Sequence, residues 1–481
     1  MSLKNIIIGI DGGDLEILRR LSLPTFERIF SEGVARSLPS ESFTRGWSTI
    51  LTGQGAGEHG GMFNRPELKG YLTTVIYGGK DFAKNPALRP LWKELNERGL
   101  SVGFLNVPTT FPAPEVDGFF ISGAGGGRSL SWPEMGRPES VRGVLEAGEY
   151  VPDIRLDSSA YDSFQRFLGD LARMTQLRGR QFSRLLQHYR PDFGFVCFVG
   201  PDRVQHALFR NLEALLDEHA PAPPLAQELK AYYRELDAAV AELMADFPGA
   251  NFVLVSDHGH AAYRRTINLN QLLEQGAFIE RRPPGAASSR AAVLKAARRL
   301  IPLKALRWIR NRSPQLSSQL ASPAYKLNAS RCFALSMTNG VFLNERGRFP
   351  EGQVQPEESA KVVQEVIDLF AGASTPEFPL AARPYRSLHR DSFFADFLPD
   401  VVVDFPEDAF PAQNPPLAFL TDNPRYQMYG DQLPAQLSPI LSGIHRSSSL
   451  FAAVGPDVDQ ATEAFQDWTL EEFYSFVLRL L

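Results

Sequence analysis

Six side chains that can bind metal ions lie just after or just before short apolar runs in this 481-residue sequence. They are Asp11, Asp202, His206, Asp257, His258 and His445. The runs that carry them read IIIGID, FVCFVGPD, FVLVSDHG and SGIHRSSSLF. Carboxylate oxygens and imidazole nitrogens are ligand types that suit zinc and manganese. The pattern therefore indicates a binding site for divalent metal ions.

The spacing of these residues indicates which of them can bind the same metal ion. Asp202 and His206 are four residues apart, so they face the same ion if a helical turn follows the strand. Asp257 and His258 are adjacent, and from a turn at a strand end they can reach one ion or two neighbouring ions. A pair of metal ions attracts phosphate and stabilises the charge that develops during in-line displacement. Phosphoryl chemistry is the predicted use of the site.

Ordinary structural roles are the alternative for each residue taken singly. An Asp after a strand, such as Asp11, is most often a turn former or a helix N-cap. The SDHG segment could likewise form an ordinary turn that binds no metal. Six potential ligands at four strand ends favour a metal site instead. The other histidines are assigned structural or surface roles: His59, His188, His219, His260 and His389.

The elements around these residues alternate between strand-like and helix-like patterns. Apolar GLSVGFLNV follows helical LWKELNERG, DFGFVCFVG follows GRQFSRLLQHY, and NFVLVSDHGH follows LKAYYRELDAAVAELMADF. Apolar strands that alternate with helices predict an α/β fold whose mainly parallel sheet is covered on both faces. Ligands bind such sheets beyond the carboxyl ends of the strands, which is where the candidate residues stand.

Composition limits the class of protein. The chain is 43% hydrophobic and 22% charged, which excludes a wholly disordered, collagen-like or coiled-coil protein. Its two cysteines, Cys197 and Cys332, cannot build a disulfide framework, and a reducing compartment is expected. The apolar run near the N-terminus is shorter than a signal-peptide core, and no uncharged stretch reaches the ~20 residues of a spanning helix. We therefore expect a cytoplasmic protein.

One segment carries an unusual charge. Twelve of the 50 Lys and Arg lie between Arg281 and Arg331, and none of the 55 Asp and Glu does. Leu and Ile recur there at helical spacing, interrupted by Pro302. Three interpretations are open: a helical cap with solvated cations, a surface that draws a nucleotide or nucleic acid, or an amphipathic helix on an anionic membrane.

Five segments together resemble a known family. IIIGIDGGDLEIL, WSTILTGQGAGEHGGMF, GFVCFVGPDRVQHALF, VLVSDHGHAAYRRTINLNQLLEQGAF and SGIHRSSSLFAAVGPDV are similar, in order and spacing, to the motifs of the type I phosphodiesterase/nucleotide pyrophosphatase family of the alkaline phosphatase superfamily. The resemblance implies an alkaline-phosphatase-like α/β/α sandwich formed by residues 1–280 and 336–481. Residues 281–335 would form an inserted basic helical cap.

The resemblance also implies a ligand set and a mechanism. Asp11, Asp257 and His258 would hold one zinc ion together with the nucleophile. Asp202, His206 and His445 would hold a second zinc ion; manganese is an alternative metal. In the resembling enzymes the first ion lowers the pKa of a hydroxyl that attacks phosphorus in line, and the second stabilises the leaving oxygen.

The nucleophile departs from the family pattern. The family places a Thr or Ser nine residues before the Thr of the TG pair, which here is Thr52, and that position holds Phe43. A phenyl ring cannot attack phosphorus. Thr44 is the preferred nucleophile because a one-residue shift in a loop costs little and Arg45 beside it could hold a phosphate oxygen. Ser42 and the absence of a nucleophile are the alternatives.

The predicted function is that of a phosphodiesterase or nucleotide pyrophosphatase acting on a nucleotide or another phosphodiester. A phosphomonoesterase or phosphomutase of the same superfamily would share the metals, and an inactive phosphoester-binding protein would explain Phe43. The loop that contains Phe43 has no Cys, which disfavours a sulfatase that needs a modified cysteine. The residues leave the substrate and the oligomeric state open.

Overall fold

The computed structural model describes residues 3–71, 73–74, 77–123, 132–145, 150–156, 161–283, 324–411, 418–426, 440–465 and 468–481, with the single residues 313, 322 and 433. The chain forms two compact units. The first comprises Met1–Gly55, Tyr77–Arg264 and Asn423–Leu481, and the second comprises Ala56–Ile76 and Arg265–Asp422. Each unit buries a hydrophobic core of its own.

The strands are β1 (Asn5–Ile10), β2 (Val34–Pro39), β3 (Arg65–Pro66), β4 (Thr73–Thr74), β5 (Val102–Leu105), β6 (Gly118–Ile121), β7 (Gly136–Arg137), β8 (Phe193–Phe198), β9 (Asn251–Val255), β10 (Gly259–Ala262), β11 (Arg265–Ile267), β12 (Cys332–Ala334), β13 (Gly340–Leu343), β14 (Ala381–Pro384), β15 (Val401–Asp404), β16 (Ala409–Phe410), β17 (Leu420–Asp422), β18 (Gly443–Arg446) and β19 (Ser448–Val454).

The α-helices are α1 (Leu15–Arg20), α2 (Pro24–Glu32), α3 (Gly46–Thr52), α4 (Ala56–His59), α5 (Gly79–Phe82), α6 (Leu91–Glu97), α7 (Trp132–Met135), α8 (Val141–Val144), α9 (Phe164–Tyr189), α10 (Gly200–Leu216), α11 (Ala226–Asp246), α12 (Leu269–Gln275), α13 (Ser359–Gly372), α14 (Val458–Thr462) and α15 (Glu472–Arg479). Short 3-10 turns cover Leu327–Ala329, Pro356–Glu358, Arg386–His389 and Ala395–Phe397.

The first unit is built on a sheet with strand order β2-β19-β9-β1-β8-β5-β6-β7. The five central strands, from β9 to β6, are parallel, whereas β19, β2 and β7 are antiparallel to their neighbours. Gly9 of β1 lies level with Cys197 of β8 and with Val255 of β9. This register aligns the carboxyl ends of β1, β8 and β9 at the same edge of the sheet. The predicted α/β class with a mainly parallel sheet is confirmed.

Helices cover both faces of this sheet. Successive residues of a strand point to opposite faces, so Gly194 and Phe195 of β8 look in opposite directions. A Cβ on Gly194 would lie 3.1 Å from Phe182 and Leu186, which belong to α9. The ring of Phe195 lies 6.3 Å from that of Trp47, which belongs to α3. Because α9 and α3 lie on opposite sides, β8 is buried along its whole length, which explains its continuous apolar sequence.

The second unit is mainly antiparallel. Strands pair in the order β12-β13-β15-β14, and α13 packs on this sheet through buried Val362, Val366 and Phe370. The spacing of these three residues places them on one helix face. A small sheet of β16, β11 and β17 and a pair formed by β3 and β4 complete the unit among the described residues.

Most of the basic segment lies outside the described residues, so the helical cap stays a prediction, as does the division at 281–335. The described residues on either side of this segment are joined by a hydrogen bond, because the Arg282 amide donates to the carbonyl of Ala324 at 3.0 Å. Tyr325 and Leu327 beyond it are buried in the second unit. No helix in the described ranges is long and apolar enough to cross a membrane.

Candidate metal centre

Two neighbouring strands, β1 and β9, deliver the first candidate ligands. Asp11 directly follows β1, and its amide donates to the carbonyl of Phe198 on β8 at 3.0 Å. Ser256 follows β9, and its hydroxyl donates to the carbonyl of Gly13 at 2.7 Å. These bonds hold the loop after β1 against its two neighbours. As a result Asp11 and Asp257 emerge side by side at the carboxyl edge of the sheet.

Helix α10 supplies the next pair. It begins at Gly200 with Pro201 in its first turn, so Asp202 and His206 lie one turn apart on the same face. His206 Nε2 lies 3.2 Å from Asp202 Oδ1. The other oxygen, Oδ2, pairs with Arg203, whose guanidinium also binds Asp153 at 2.8 and 3.0 Å. Arg203 thus orients the carboxylate so that Oδ1 points toward the histidines.

Two more histidines come from the antiparallel pair of β10 and β18. His260 of β10 lies directly opposite His445 of β18 in this pair. The Nδ1 of His206 lies 2.9 Å from the carbonyl of Gly443, also on β18. A carbonyl only accepts, so Nδ1 carries the proton and Nε2 presents its lone pair to the site.

Four imidazole nitrogens surround Asp202 Oδ1. The Nε2 atoms of His206, His260, His445 and His258 lie 3.2, 3.4, 3.5 and 4.0 Å from it. With zinc–ligand bonds of 2.0–2.1 Å, two ligands of a tetrahedral ion stand about 3.3–3.4 Å apart. The three shortest separations match this value. The donor set of Asp202, His206, His260 and His445 therefore fits a zinc ion.

The second group lies next to the first. His258 Nε2 is 3.7 Å from Asp11 Oδ1 and 3.3 Å from Asp257 Oδ2. Its Nδ1 lies 3.1 Å from the carbonyl of Gly259, which again leaves Nε2 to bind an ion. Asp11, Asp202 and His258 together meet the distance requirement for a metal site. All six residues singled out in the sequence thus lie in one cluster.

Electrostatics of the cluster also favour bound cations. Burial and the neighbouring carboxylates of Asp257 and Asp202 raise the pKa of Asp11 well above its usual range, and burial and Asp202 raise the pKa of Asp257 to about 7. Burial also tends to raise the pKa of Asp202, but His206 and Arg203 hold it well below its usual range. Crowded carboxylates of this kind are stabilised by a dication.

Burial keeps the histidines in the form that binds metals. It lowers the pKa of His258, and it lowers the pKa of His260 and His445 well below the usual range. These imidazoles are neutral at pH 7 and offer lone pairs to an ion.

The loop before α3 carries the candidate nucleophiles. Phe43 and Thr44 are buried, with 2% and 5% of their surfaces exposed, and Thr44 Oγ1 donates to the carbonyl of Glu41 at 3.2 Å. Ser42 is more exposed. Gly46, two residues after Thr44, abuts the candidate metal centre: a Cβ there would lie 2.3 Å from the carbonyl oxygen of Asp257. The loop therefore passes directly beside Asp257.

His260 is the candidate ligand that the sequence analysis placed outside the site. It lies two residues after His258 in a strand-like segment, and alternate residues of a strand share a face. This spacing could have indicated that His260 points to the same side as His258. The pairing of β10 with β18 adds what spacing could not show, namely that His260 stands opposite His445.

Comparison with solved structures found similar folds. The solved phosphonoacetate hydrolase of Sinorhizobium meliloti 1021 with bound phosphonoacetate is 14% identical, with a TM-score of 0.52, and the match covers 100% of this chain and 96% of that one. Murine ectonucleotide pyrophosphatase/phosphodiesterase 5 is 16% identical with a TM-score of 0.48, covering 99% and 94%. No curated protein matches the sequence.

The family comparison supplies the assignment. The model of the type I phosphodiesterase/nucleotide pyrophosphatase family matches residues 5–429, which include Asp11, Asp202, His206, Asp257 and His258. The motifs found in the sequence and the family match thus agree over nearly the whole chain. The chain belongs to the type I phosphodiesterase/nucleotide pyrophosphatase family, whose members hydrolyse phosphoric ester bonds.

Proposed function

We propose that this hydrolase cleaves phosphodiester or pyrophosphate bonds with two zinc ions and a threonine nucleophile, Thr44. The observation that carries the proposal is the convergence of Asp202 Oδ1 with four imidazole nitrogens, beside the carboxylates of Asp11 and Asp257. Bound ions would supply Lewis-acid charge that lowers the pKa of a hydroxyl and stabilises negative charge on phosphate.

The chain's own residues define the rest of the reaction. Thr44 Oγ1 gives its proton to solvent water and bonds to phosphorus, and the bond from phosphorus to the leaving oxygen breaks with its electron pair on that oxygen. The leaving oxygen takes a proton from solvent. A water oxygen then bonds to phosphorus, the bond from phosphorus to Thr44 Oγ1 breaks, and Oγ1 takes up the proton that the water gives up. The Thr44 hydroxyl must first leave the carbonyl of Glu41, to which it donates in this structure.

In this proposal Arg45 binds the transferred phosphoryl group. Burial lowers the pKa of its guanidinium, and the negative charges of Asp257 and Asp11 oppose that shift, so the side chain lies close to both carboxylates. A guanidinium can form two parallel hydrogen bonds with phosphate oxygens. Arg203 orients Asp202 instead of binding phosphate, because its contacts are with Asp153 and Asp202.

Hydrolysis of paired chromogenic substrates tests the proposal. Purified protein, stripped of metal and reloaded with zinc or manganese, is assayed on bis(p-nitrophenyl) phosphate and on p-nitrophenyl phosphate. We expect faster turnover of the diester and loss of activity in Asp202→Asn, with exposed Asp162→Asn as the control. Preference for the monoester would favour the phosphomonoesterase alternative. Phosphate binding without turnover would favour a binding protein.

Two further proposals concern the partners of the basic segment and the location of the protein in the cell. The basic segment between Arg281 and Arg331 is proposed to draw polyanionic substrates, with a nucleic acid or an anionic membrane as the alternative partners. A cytoplasmic location also stays a proposal, and fractionation of cells that produce the protein at native levels tests it.

A further inference from the structure

His260 lies within the cluster, although the family resemblance gave it no role as a ligand. Its side chain is fully buried, and its Nε2 lies 3.4 Å from Asp202 Oδ1. Its ring centre is 4.6 Å from that of His206. The ring is therefore surrounded by the same groups that form the proposed zinc site of Asp202, His206 and His445.

The ring of His260 also lacks the hydrogen bonds that a buried imidazole normally makes. Within the described part of the chain, neither Nδ1 nor Nε2 has a hydrogen-bond partner, and Asp202 Oδ1 has none either. A buried polar atom without a partner destabilises the folded state. A neutral imidazole held in this way next to a carboxylate oxygen is explained if its lone pair binds a cation.

The backbone leaves room for this ring at one position. A Cβ on Gly12 would lie 2.7 Å from Cε1 and 2.8 Å from Nδ1 of His260. Gly12 also has a φ of +68°, which favours glycine. The loop after β1 therefore accommodates His260 only because residue 12 has no side chain.

We propose that His260 is a fourth protein ligand of the ion held by Asp202, His206 and His445, which makes this ion coordinatively closed. The inference rests on the proposed two-metal function and refines it, because a closed ion would act on the phosphate through its charge and not by direct coordination. Four protein ligands are typical of structural zinc sites, whereas catalytic sites keep an open position. The open position then lies at the ion held by Asp11, Asp257 and His258, beside the Thr44 loop.

The two ions have different donor atoms, and this difference predicts which metal each site prefers. Three imidazoles and one carboxylate favour zinc over manganese or magnesium, because nitrogen-rich sites favour late first-row metals. Two carboxylates and one imidazole accept manganese more readily. One ion is therefore tightly held zinc, and the other is exchangeable.

Metal binding by His260→Ala and His260→Gln tests the inference without an activity assay. Apo protein is titrated with zinc against a zinc-binding dye, and stoichiometry is verified by elemental analysis. Exposed His219→Ala in the same unit is the matched control. We expect two zinc ions per wild-type chain and a loss of at least about 100-fold in affinity for the tighter ion in the His260 variants, the upper end of losses seen when only a neighbour of a ligand is removed.

X-ray absorption of wild-type protein with one equivalent of zinc decides the question even if the variants do not fold. Three imidazoles per zinc support the inference, and two overturn it. Unchanged zinc affinity in folded His260→Ala also overturns it while leaving the two-metal function intact. Failure of wild type and of His219→Ala to bind zinc would overturn both the proposed function and this inference.

Discussion

The Nε2 atoms of His206 and His445 lie 3.0 Å apart, although 239 residues separate them in the chain. The Nδ1 of His206 is engaged with the carbonyl of Gly443, two residues before His445. One contact between α10 and β18 therefore sets both the tautomer of the first histidine and the position of the second. Convergence of two lone pairs at this distance is what a shared metal ion requires.

Removal of the central carboxylate should release metal. Asp202→Asn keeps the size of the side chain but removes the negative charge that lies within 4.0 Å of four imidazole nitrogens. We expect zinc affinity to fall by more than about 100-fold, since even loss of a group that only orients a ligand costs 10–100-fold. Elemental analysis after gel filtration measures this. Retention of two ions per chain would show that Asp202 is not a ligand.

Substitution of the candidate nucleophiles should separate their roles. Thr44→Ala is expected to lose on the order of 10⁴-fold or more in turnover while it keeps its zinc, as when covalent nucleophiles are deleted. Thr44→Ser should keep measurable activity because a hydroxyl is restored, and Ser42→Ala should have a mild effect. Steady-state kinetics on a chromogenic diester provides the measurement. The reverse order would assign the role to Ser42, and full activity in both alanine variants would point to direct attack by water.

A methyl group on Gly46 should disturb the site through the backbone. Its Cβ would lie 2.3 Å from the carbonyl oxygen and 2.8 Å from the Cβ of Asp257, so the loop or Asp257 must shift. We expect Gly46→Ala to lower the free energy of unfolding by about 1–3 kcal/mol and to weaken binding of the ion near Asp257.

Gly169→Ala is the matched control for this substitution. Gly169 lies inside α9, and a Cβ there would meet nothing within 4 Å. The control should stabilise the protein by about 0.5–1 kcal/mol because alanine is a better helix former. Urea denaturation measures both values, and equal stability of the two variants would contradict the prediction.

Acidification should destabilise the second unit through His59. Burial lowers the pKa of His59 from 6.5 to about 3, and its Nδ1 accepts a hydrogen bond from the amide of Gly61 at 2.9 Å. Since the folded-state pKa lies below the unfolded value, this stabilisation is complete above pH 6.5. It declines as the pH falls toward 3, by on the order of 1.4 kcal/mol per pH unit.

His59→Gln isolates this effect, because its amide oxygen can accept the same hydrogen bond and does not titrate. The variant should show a smaller loss of stability than wild type between pH 6.5 and pH 4.5 in urea denaturation. Exposed His219→Gln should behave like wild type. The same pH dependence in wild type and His59→Gln would show that His59 is protonated without cost.

Replacement of the basic segment should alter activity on large anionic substrates. Arg282 and Ala324 are joined by a backbone hydrogen bond, so a short Gly-Ser linker can replace residues 284–323 and leave buried Tyr325 and Leu327 in place. We expect unchanged turnover of a small diester, but slower cleavage of polyanionic substrates at low salt, where electrostatic attraction is strongest. Identical rates at every ionic strength would exclude a steering role.

The sequence by itself determined the class of fold and indicated six residues that gather in the candidate metal centre. Apolar strands that alternate with amphipathic helices can be buried only in a covered parallel sheet, and residues that follow such strands gather at its carboxyl edge. The positions of Asp11, Asp202 and Asp257 follow from this rule. The shared helix face of Asp202 and His206 follows from the helical repeat.

Only the tertiary structure decided which distant residues meet. The register of β10 against β18 places His260 opposite His445, and antiparallel pairing between segments about 185 residues apart leaves no local pattern to read. The packing of Gly46 against Asp257 likewise brings the Thr44 loop to the cluster. Such contacts depend on how whole elements pack, because the energy that selects them comes from burial and steric fit rather than from neighbours in the chain.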